Sequence, residues 1–442
     1  MIERVVKRSG EVATFDQEKV TVAIYKAAAS VGGHDRALSE DLSDQVMQAL
    51  DATYSEDDLP TVEDVQDVVE RILIKTGHAR TAKAYILYRH ERSKMRSQKV
   101  VSRVEYLPYK AMWEALDWAV EHDCHTVSRL NRIIRDGRMP WLIEKTDARY
   151  ESILDGAAQA ILERREELRF IIVAGPSSSG KTTTTHKIMH RLERDGVHVI
   201  PMSLDNYFFN LELHPQDEFG DYDFETPEAM DLPLINEHLA ALDEGQGIEM
   251  PVYDFKTGQR TDQTTHFEPE PGTLILLDTL HGLYGGLTES VPGEHKFRLY
   301  IETISQLKDN TGRYTRWTDI RLLRRMIRDS KFRAYSPEKT ILHWHYVRRS
   351  ELKHIIPYQG SADFQVNGAL AYELPFLKPH LFPYLEPFLE QWRGNEKRLD
   401  GYIRARRIHD LLAAIEDVND DSMVPDTSLL REFIGGGTYD IH

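Results

Sequence analysis

The sequence predicts an α/β protein: a mostly parallel, doubly wound sheet built around a phosphate-holding loop, preceded by a small, mainly helical domain and a helical connector. Three observations carry this. The apolar run 170–174, FIIVA, enters the glycine-bounded stretch GPSSSGKT and then an amphipathic helical pattern, THKIMHRLERDG. Two more short apolar runs end at Ser203 and Asp278, with acids at or just past their ends, as strands of an open α/β sheet do at a ligand crevice. The first 95 residues follow another pattern, a short alternating hairpin and then helices.

Taken in order, VVKRSGEVATF alternates around Ser9-Gly10, the signature of a β-hairpin. Val20, Ile24 and Ala27 then share one helical face. Pro60 precedes a further helix with Thr61 as N-cap, Asp64 three residues on, Val62, Val65, Val69, Ile72 and Leu73 at helical spacing, and Gly77 as C-cap. ARTAKAYILYRHERSKMR continues as helix. We assign 1–95 to a first domain, 96–165 to a helical connector without evident chemistry, and 166–442 to the phosphate-loop domain, closed by helices from about 378 onward.

The 442 residues suit two or three domains, and a hydrophobic fraction of 41% supports packed cores. The net charge of −17 argues against a nucleic-acid partner, which calls for a basic surface. No apolar run is long enough for a transmembrane helix, and MIERVVKRSG has charges where a secretory signal needs an apolar centre. The single cysteine, Cys124, excludes internal disulfides and cysteine-built zinc sites. Together these predict a soluble cytoplasmic protein without a membrane partner. Charge is uneven: 40–70 has eleven acids and no Lys or Arg, whereas 313–353 has twelve Lys/Arg against four acids. The basic stretch is either a solvated face or a surface that meets phosphate.

Gly175, Pro176, Ser177, Ser178, Ser179, Gly180, Lys181 and Thr182 fit G-x-x-x-x-G-K-[ST], with Thr183 following. Glycine lets backbone approach phosphate oxygens, and the amides of the loop and helix N-terminus then face the anion. Lys181 is expected to bridge the outer phosphates of ATP and Thr182 to ligate Mg²⁺. No water-positioning or motion-coupling element of a motor stands out. Instead Asp205 follows the second strand, where a carboxylate can take an acceptor hydroxyl's proton. Tyr207, Phe224, Glu225, Tyr253 and Arg260 are candidates for gripping a small-molecule alcohol, and Asp278 for holding the Mg²⁺ water shell. Arg321, Arg325 and Arg328 share a helical face, with Arg324 near it and Arg333 beyond, as a guanidinium-bearing lid over transferring phosphate would.

GPSSSGKTTTT, SLDNYF, DYDFETPEAMD, PVYDFKTGQR, LHGL, TDIRLLRRMIRD and IIPYQGSADFQVNGALAYEL occur in one order over 165–437, and together they resemble the uridine kinase and phosphoribulokinase family, in its longer branch ending in a segment like VPDTSLLREFIGG. The resemblance implies a P-loop kinase that uses ATP and Mg²⁺ to phosphorylate a primary alcohol of a nucleoside or related molecule. It implies Asp205 as catalytic base, Glu225 and Arg321 on the ribose, and Arg325, Arg328 and Arg333 in the lid. Two departures stand out: Asp278-Thr279 replaces the usual Glu-Gly, and Gly258 stands where pyrimidine kinases carry a base-reading histidine. VVKRSGEVATFDQEKVTVAI, TVEDVQDVVE and AKAYILYRHER resemble the ATP-cone, a nucleotide-binding module, over 1–92. That implies Val6, Lys7, Arg8 and Lys19 at a regulatory ATP or dATP, with Lys83 and Tyr88 as weaker candidates, and a tendency to form homo-oligomers. The alternative is a nucleotide sensor with a kinase fold and little turnover.

Overall fold

The computed structural model describes residues 2–7, 11–29, 31–54, 59–78, 80–85, 108–214, 225–254, 257–395 and 398–439. The chain divides into two compact units, Met1–Leu107 with Gln391–Arg404, and Pro108–Glu390 with Ala405–His442.

In the first unit, β1 (Arg4–Val6) pairs antiparallel with β2 (Val12–Thr14), Val5 opposite Ala13. Helices Gln17–Ala29, Arg36–Thr53 and Val62–Lys75 follow. Their apolar faces meet in a core containing Ile24, Leu42, Val46, Leu50, Val69 and Leu73, with Val20 and Ala27 as the sequence pattern requires. Thr61 and Asp64 form the reciprocal capping box, each satisfying an amide of the other's turn. Gly77 ends the helix at φ +82°, a conformation glycine enters without strain.

The second unit is built on five parallel strands: β3 (Phe170–Ala174), β4 (Val199–Ser203), β7 (Leu274–Thr279), β8 (Lys296–Glu302) and β9 (Phe364–Asn367), in spatial order β4-β7-β3-β8-β9. Every residue of β3 is fully buried, so its continuous apolar run is that of a central strand covered on both faces. The carboxyl ends of β3, β4 and β7 lie level, with Val173 beside Asp278 and Asp278 beside Ser203. The chain leaves β3 with neighbours on either side reached in different directions, which opens a crevice at that edge.

A two-stranded hairpin, β5 (Ile248–Asp254) and β6 (Gln259–Phe267), stands apart from the main sheet. The helix Met139–Leu162 lies along the phosphate-loop helix Lys181–Arg194: Tyr150 and Thr184 share a 2.6 Å hydroxyl hydrogen bond, and Arg191 reaches Glu151 and Asp155. The long helix Glu373–Trp392 contains Pro379, Pro383 and Pro387. Proline at 379 cannot donate to the carbonyl four residues earlier, and that carbonyl, of Pro375, instead accepts from the Val418 amide at 3.1 Å. Among the described residues no helix is long and apolar enough to cross a membrane.

Candidate active site

The loop after β3 is shaped by close approach. A Cβ at Gly175 would lie 2.5 Å from the Ile301 carbonyl oxygen, so any side chain there collides with the neighbouring strand. Gly180 sits at φ +96° and Ser178 at φ +60°, the left-handed turns that aim successive amides into one concavity. The hydroxyls of Ser178 and Ser179 are buried without a hydrogen-bond partner among the described residues. A buried orphan hydroxyl is costly, and these belong to a cradle suited to an anionic ligand.

The arginine helix Trp317–Phe332 holds this loop from behind. Arg321 Nη1 donates to the Ser177 carbonyl at 3.1 Å, and Arg324 Nη1 to the Ser179 carbonyl at 3.4 Å. In a trans peptide the C=O and the following N–H point in opposite directions. The N–H groups of Ser178 and Gly180 therefore face away from the helix, toward the open side of the loop.

This corrects the sequence reading of several residues. Arg321 does not face a sugar: it is buried in ion pairs with Glu302 at 3.1 Å and Glu351 at 2.5 Å. Burial alone would lower the Arg321 pKa, but Glu351 and Glu302 outweigh it and hold the guanidinium above its ordinary value. Glu351, in turn, is held below the usual carboxylate range: burial would raise it, and Arg321 and Arg348 reverse that. Arg324 pairs with Glu373 at 2.6 Å, and Arg328 is buried against Asp329 at 2.8 Å. The helix is a brace rather than a mobile lid face, because each of these cations is matched by a buried acid.

Tyr207 also turns inward, its hydroxyl 2.8 Å from His238 Nδ1 and its ring in the core. Arg260 clamps backbone, donating to the carbonyls of Phe208 at 2.8 Å and Tyr207 at 2.6 Å, with Asp231 at 2.9 Å. Both side chains are thus engaged within the chain. Tyr253 is buried beside Phe208, and Phe224 lies outside the described residues.

Other predicted residues do come together. Asp205, in the short turn Leu204–Tyr207 after β4, is solvent-accessible with protein packed around it. The surrounding protein pushes its carboxyl up from the ordinary value, against the pull of Lys181 and Arg333. Asp278, at the end of β7, is pushed up to about 6 by desolvation, with Lys181 opposing and Asp205 and Glu432 adding repulsion. Lys181 and Arg333 thus bear on Asp205, and Lys181 and Asp205 on Asp278, with Thr182 in the first turn of the loop helix. Arg325 Nη1 donates to Ser177 Oγ at 3.1 Å and to Glu225 Oε1 at 3.0 Å.

The donor set suits Mg²⁺. A hard cation wants oxygen ligands, and facing carboxylates that repel each other are relieved by one. Among the described residues no three side chains form a cage, and Mg²⁺ ordinarily takes one or two carboxylates together with substrate phosphates.

Glu302, Glu351, Glu373 and Glu432 were not singled out from the sequence. Each lies well away in sequence from the Arg321, Arg324 or Thr183 that it meets, and no spacing to those residues marks it. In the first unit, Val6 ends β1 with its amide on the Pro60 carbonyl at 2.9 Å. Lys7 and Lys19 are exposed, paired with Glu11 at 3.1 Å and Asp16 at 3.3 Å, and Arg8 and Tyr88 lie outside the described residues.

A strand-loop-helix phosphate cradle at the crevice of a parallel sheet, with an acid at the end of the neighbouring strand, is the arrangement of a P-loop nucleotide-binding protein. Residues 170–370 match the model of the phosphoribulokinase / uridine kinase family, and residues 3–94 that of the ATP cone domain. The chain is 33% identical to the uridine kinase of Lactobacillus johnsonii over 169 residues, 38% of this chain and 71% of that one. It is 31% identical to the uridine kinase of Deinococcus deserti over 196 residues, 44% of this chain and 85% of that one. The chain belongs to the phosphoribulokinase / uridine kinase family and carries an ATP cone domain. It is a phosphotransferase with an alcohol acceptor.

Proposed function

We propose that this enzyme transfers the γ-phosphoryl group of ATP to a hydroxyl of a nucleoside or a related small molecule, and that nucleotide binding to the N-terminal unit regulates the transfer. The observation that supports it most is the electrostatic grouping of Asp205 with Lys181 and Asp278 beside the loop. The loop amides and Lys181 would hold the phosphates in line. Asp205 would accept the proton of the attacking hydroxyl, its raised affinity for a proton matching that task. Thr182 and Asp278 would hold Mg²⁺, which when bound supplies charge neutralisation between the outer phosphates. Arg325 and Arg333 would meet charge on the transferring group.

Glu225, held by Arg325 next to Ser177, would accept hydrogen bonds from a hydroxylated acceptor. Gly258 bears on which acceptor. It turns the β5–β6 hairpin at φ +70°, and a Cβ there would lie 3.1 Å from Leu211 Cβ. A histidine at 258 would be strained and crowded, so base reading of the pyrimidine-kinase kind is not supported at this position. The acceptor class we favour is therefore a polyol or nucleoside held through its hydroxyls. In the first unit, Val6, Lys7 and Lys19 are the residues we assign to the regulatory ATP or dATP.

The test is transfer of radiolabel from γ-labelled ATP across nucleosides, sugars and sugar acids, in wild type and in Lys7→Ala. Label on a hydroxylated acceptor, with a changed ATP or dATP response in Lys7→Ala, supports the reading. ATP bound without transfer to any acceptor would instead favour a nucleotide sensor.

A further inference from the structure

The C-terminal segment reaches the phosphate loop from more than two hundred residues away. Leu429 packs against Gly180, where an added Cβ would lie 2.6 Å from Leu429 Cδ1. Three residues on, Glu432 is buried and accepts from the Thr183 amide at 3.0 Å and from the Thr183 hydroxyl at 2.8 Å.

Those two donors are unlike others on the helix. The helix Lys181–Arg194 begins after Gly180, and its first internal bond is Thr184 N–H to the Gly180 carbonyl at 3.1 Å. The Thr183 amide is thus one of the unpaired donors at the helix N-terminus, among the groups with which such a loop receives phosphate. Here a carboxylate holds it already. Glu432 also raises the Asp278 carboxyl through repulsion, so its charge is felt inside the crevice.

We propose that Glu432 is a positioning residue that stands in for a nucleotide phosphate. It holds the Thr183 amide and hydroxyl in their receiving orientation and yields them when nucleotide binds. Two anions cannot share one amide and one hydroxyl donor, and a phosphate brought beside a buried carboxylate would be repelled. The backbone around Glu432 is anchored: Leu429, Leu430, Phe433 and Ile434 are buried, and Lys331 Nζ donates to the Ile434 carbonyl at 2.6 Å. The element that moves is therefore the Glu432 side chain rather than the whole segment. Nucleotide affinity then carries the cost of displacing a native cap, and the loop stays ordered when no nucleotide is present. This inference rests on ATP binding at the loop.

The experiment compares thermal unfolding of the full chain, without and with Mg²⁺·ATP, for wild type, Glu432→Gln, Glu432→Ala and Lys181→Ala. Without nucleotide, Glu432→Ala melts below wild type because a cap is lost. With nucleotide, its rise in melting temperature exceeds that of wild type. Loop-site affinity from calorimetry, taken as the binding that Lys181→Ala abolishes, tightens roughly two- to thirtyfold, the range spanned by a carboxylate at a helix N-terminus. Glu432→Gln shifts affinity in the same direction by less. A lower melting temperature with an unchanged or smaller ATP-induced rise would make Glu432 a structural cap alone and overturn the proposal. If Lys181→Ala leaves the rise of wild type intact, ATP binding at the loop is what has failed, whatever Glu432 does.

Discussion

Arg325 and Glu225 form a 3.0 Å ion pair that ties the arginine helix to the segment following β4, and the same guanidinium nitrogen donates to Ser177 of the phosphate loop. One side chain therefore sets both the loop and the acid we assign to the acceptor. Burial alone would lower the Arg325 pKa, and Glu225 and Asp329 reverse that, so the cation persists.

Arg325→Ala should lose transfer activity and also stability, because it takes the buried cation from Glu225, while Asp329 keeps Arg328; breaking a buried pair from one side costs about 3–5 kcal/mol. Glu225→Gln should keep the fold and raise KM for the acceptor more than for ATP. Steady-state kinetics beside urea unfolding checks both, and equal effects on the two KM values would contradict the assignment of Glu225.

Arg321 makes the opposite prediction. As a brace between Glu302, Glu351 and the Ser177 carbonyl, it should show its loss first in folding. Arg321→Ala should destabilise by about 3–5 kcal/mol, and Arg321→Lys should rescue only part, since one ammonium cannot reproduce the forked contacts. A fully stable Arg321→Ala with a raised acceptor KM would return this residue to the substrate.

Gly175→Ala should abolish ATP binding at the loop, because its Cβ would meet the Ile301 carbonyl oxygen at 2.5 Å and backbone cannot give way as a side chain can. Calorimetry should show the loop site gone and binding to the ATP cone domain unchanged.

The pH dependence follows from Asp278. Its carboxyl rises from an ordinary 3.8 to about 6, so the folded chain binds that proton more tightly than the unfolded chain does. The stabilising contribution is complete below pH 3.8 and is lost as pH rises toward 6. Asp278→Asn should therefore be more stable than wild type near neutrality and no more stable at acid pH, as urea midpoints across pH would show. Transfer needs the ionised acids, so kcat/KM should fall on the acid side with an apparent pKa above the ordinary carboxylate range.

The phosphate loop, strands β3, β4 and β7, and the Thr61–Asp64 capping box were legible because each depends on neighbours in sequence. The places of Asp205 and Asp278 beside the ends of β4 and β7 were legible for a related reason: strand ends in a parallel sheet converge, so position on a strand implies position at that edge. The arginine helix was misread because charges at helical spacing suit a surface equally well. What buries Arg321 and Arg324 is Glu351 and Glu373, 30 and 49 residues on, and nothing local announces them. Tyr207 and Arg260 make internal contacts the sequence did not announce, because a turn residue beside a site can as easily hold the turn as touch the ligand. Glu432 reaches Thr183 across 249 residues, a pairing only the fold reveals.

The most direct measurement is single-turnover transfer from ATP to the acceptor found by screening, in wild type and in Asp205→Asn, with ATP affinity at the loop measured alongside. Asp205→Asn should bind ATP as wild type does and lose transfer by roughly 10²–10⁴-fold, the usual contribution of a positioned base. Transfer at the wild-type rate with Asn at 205 would show that this carboxyl takes no proton, and would contradict the account at its centre.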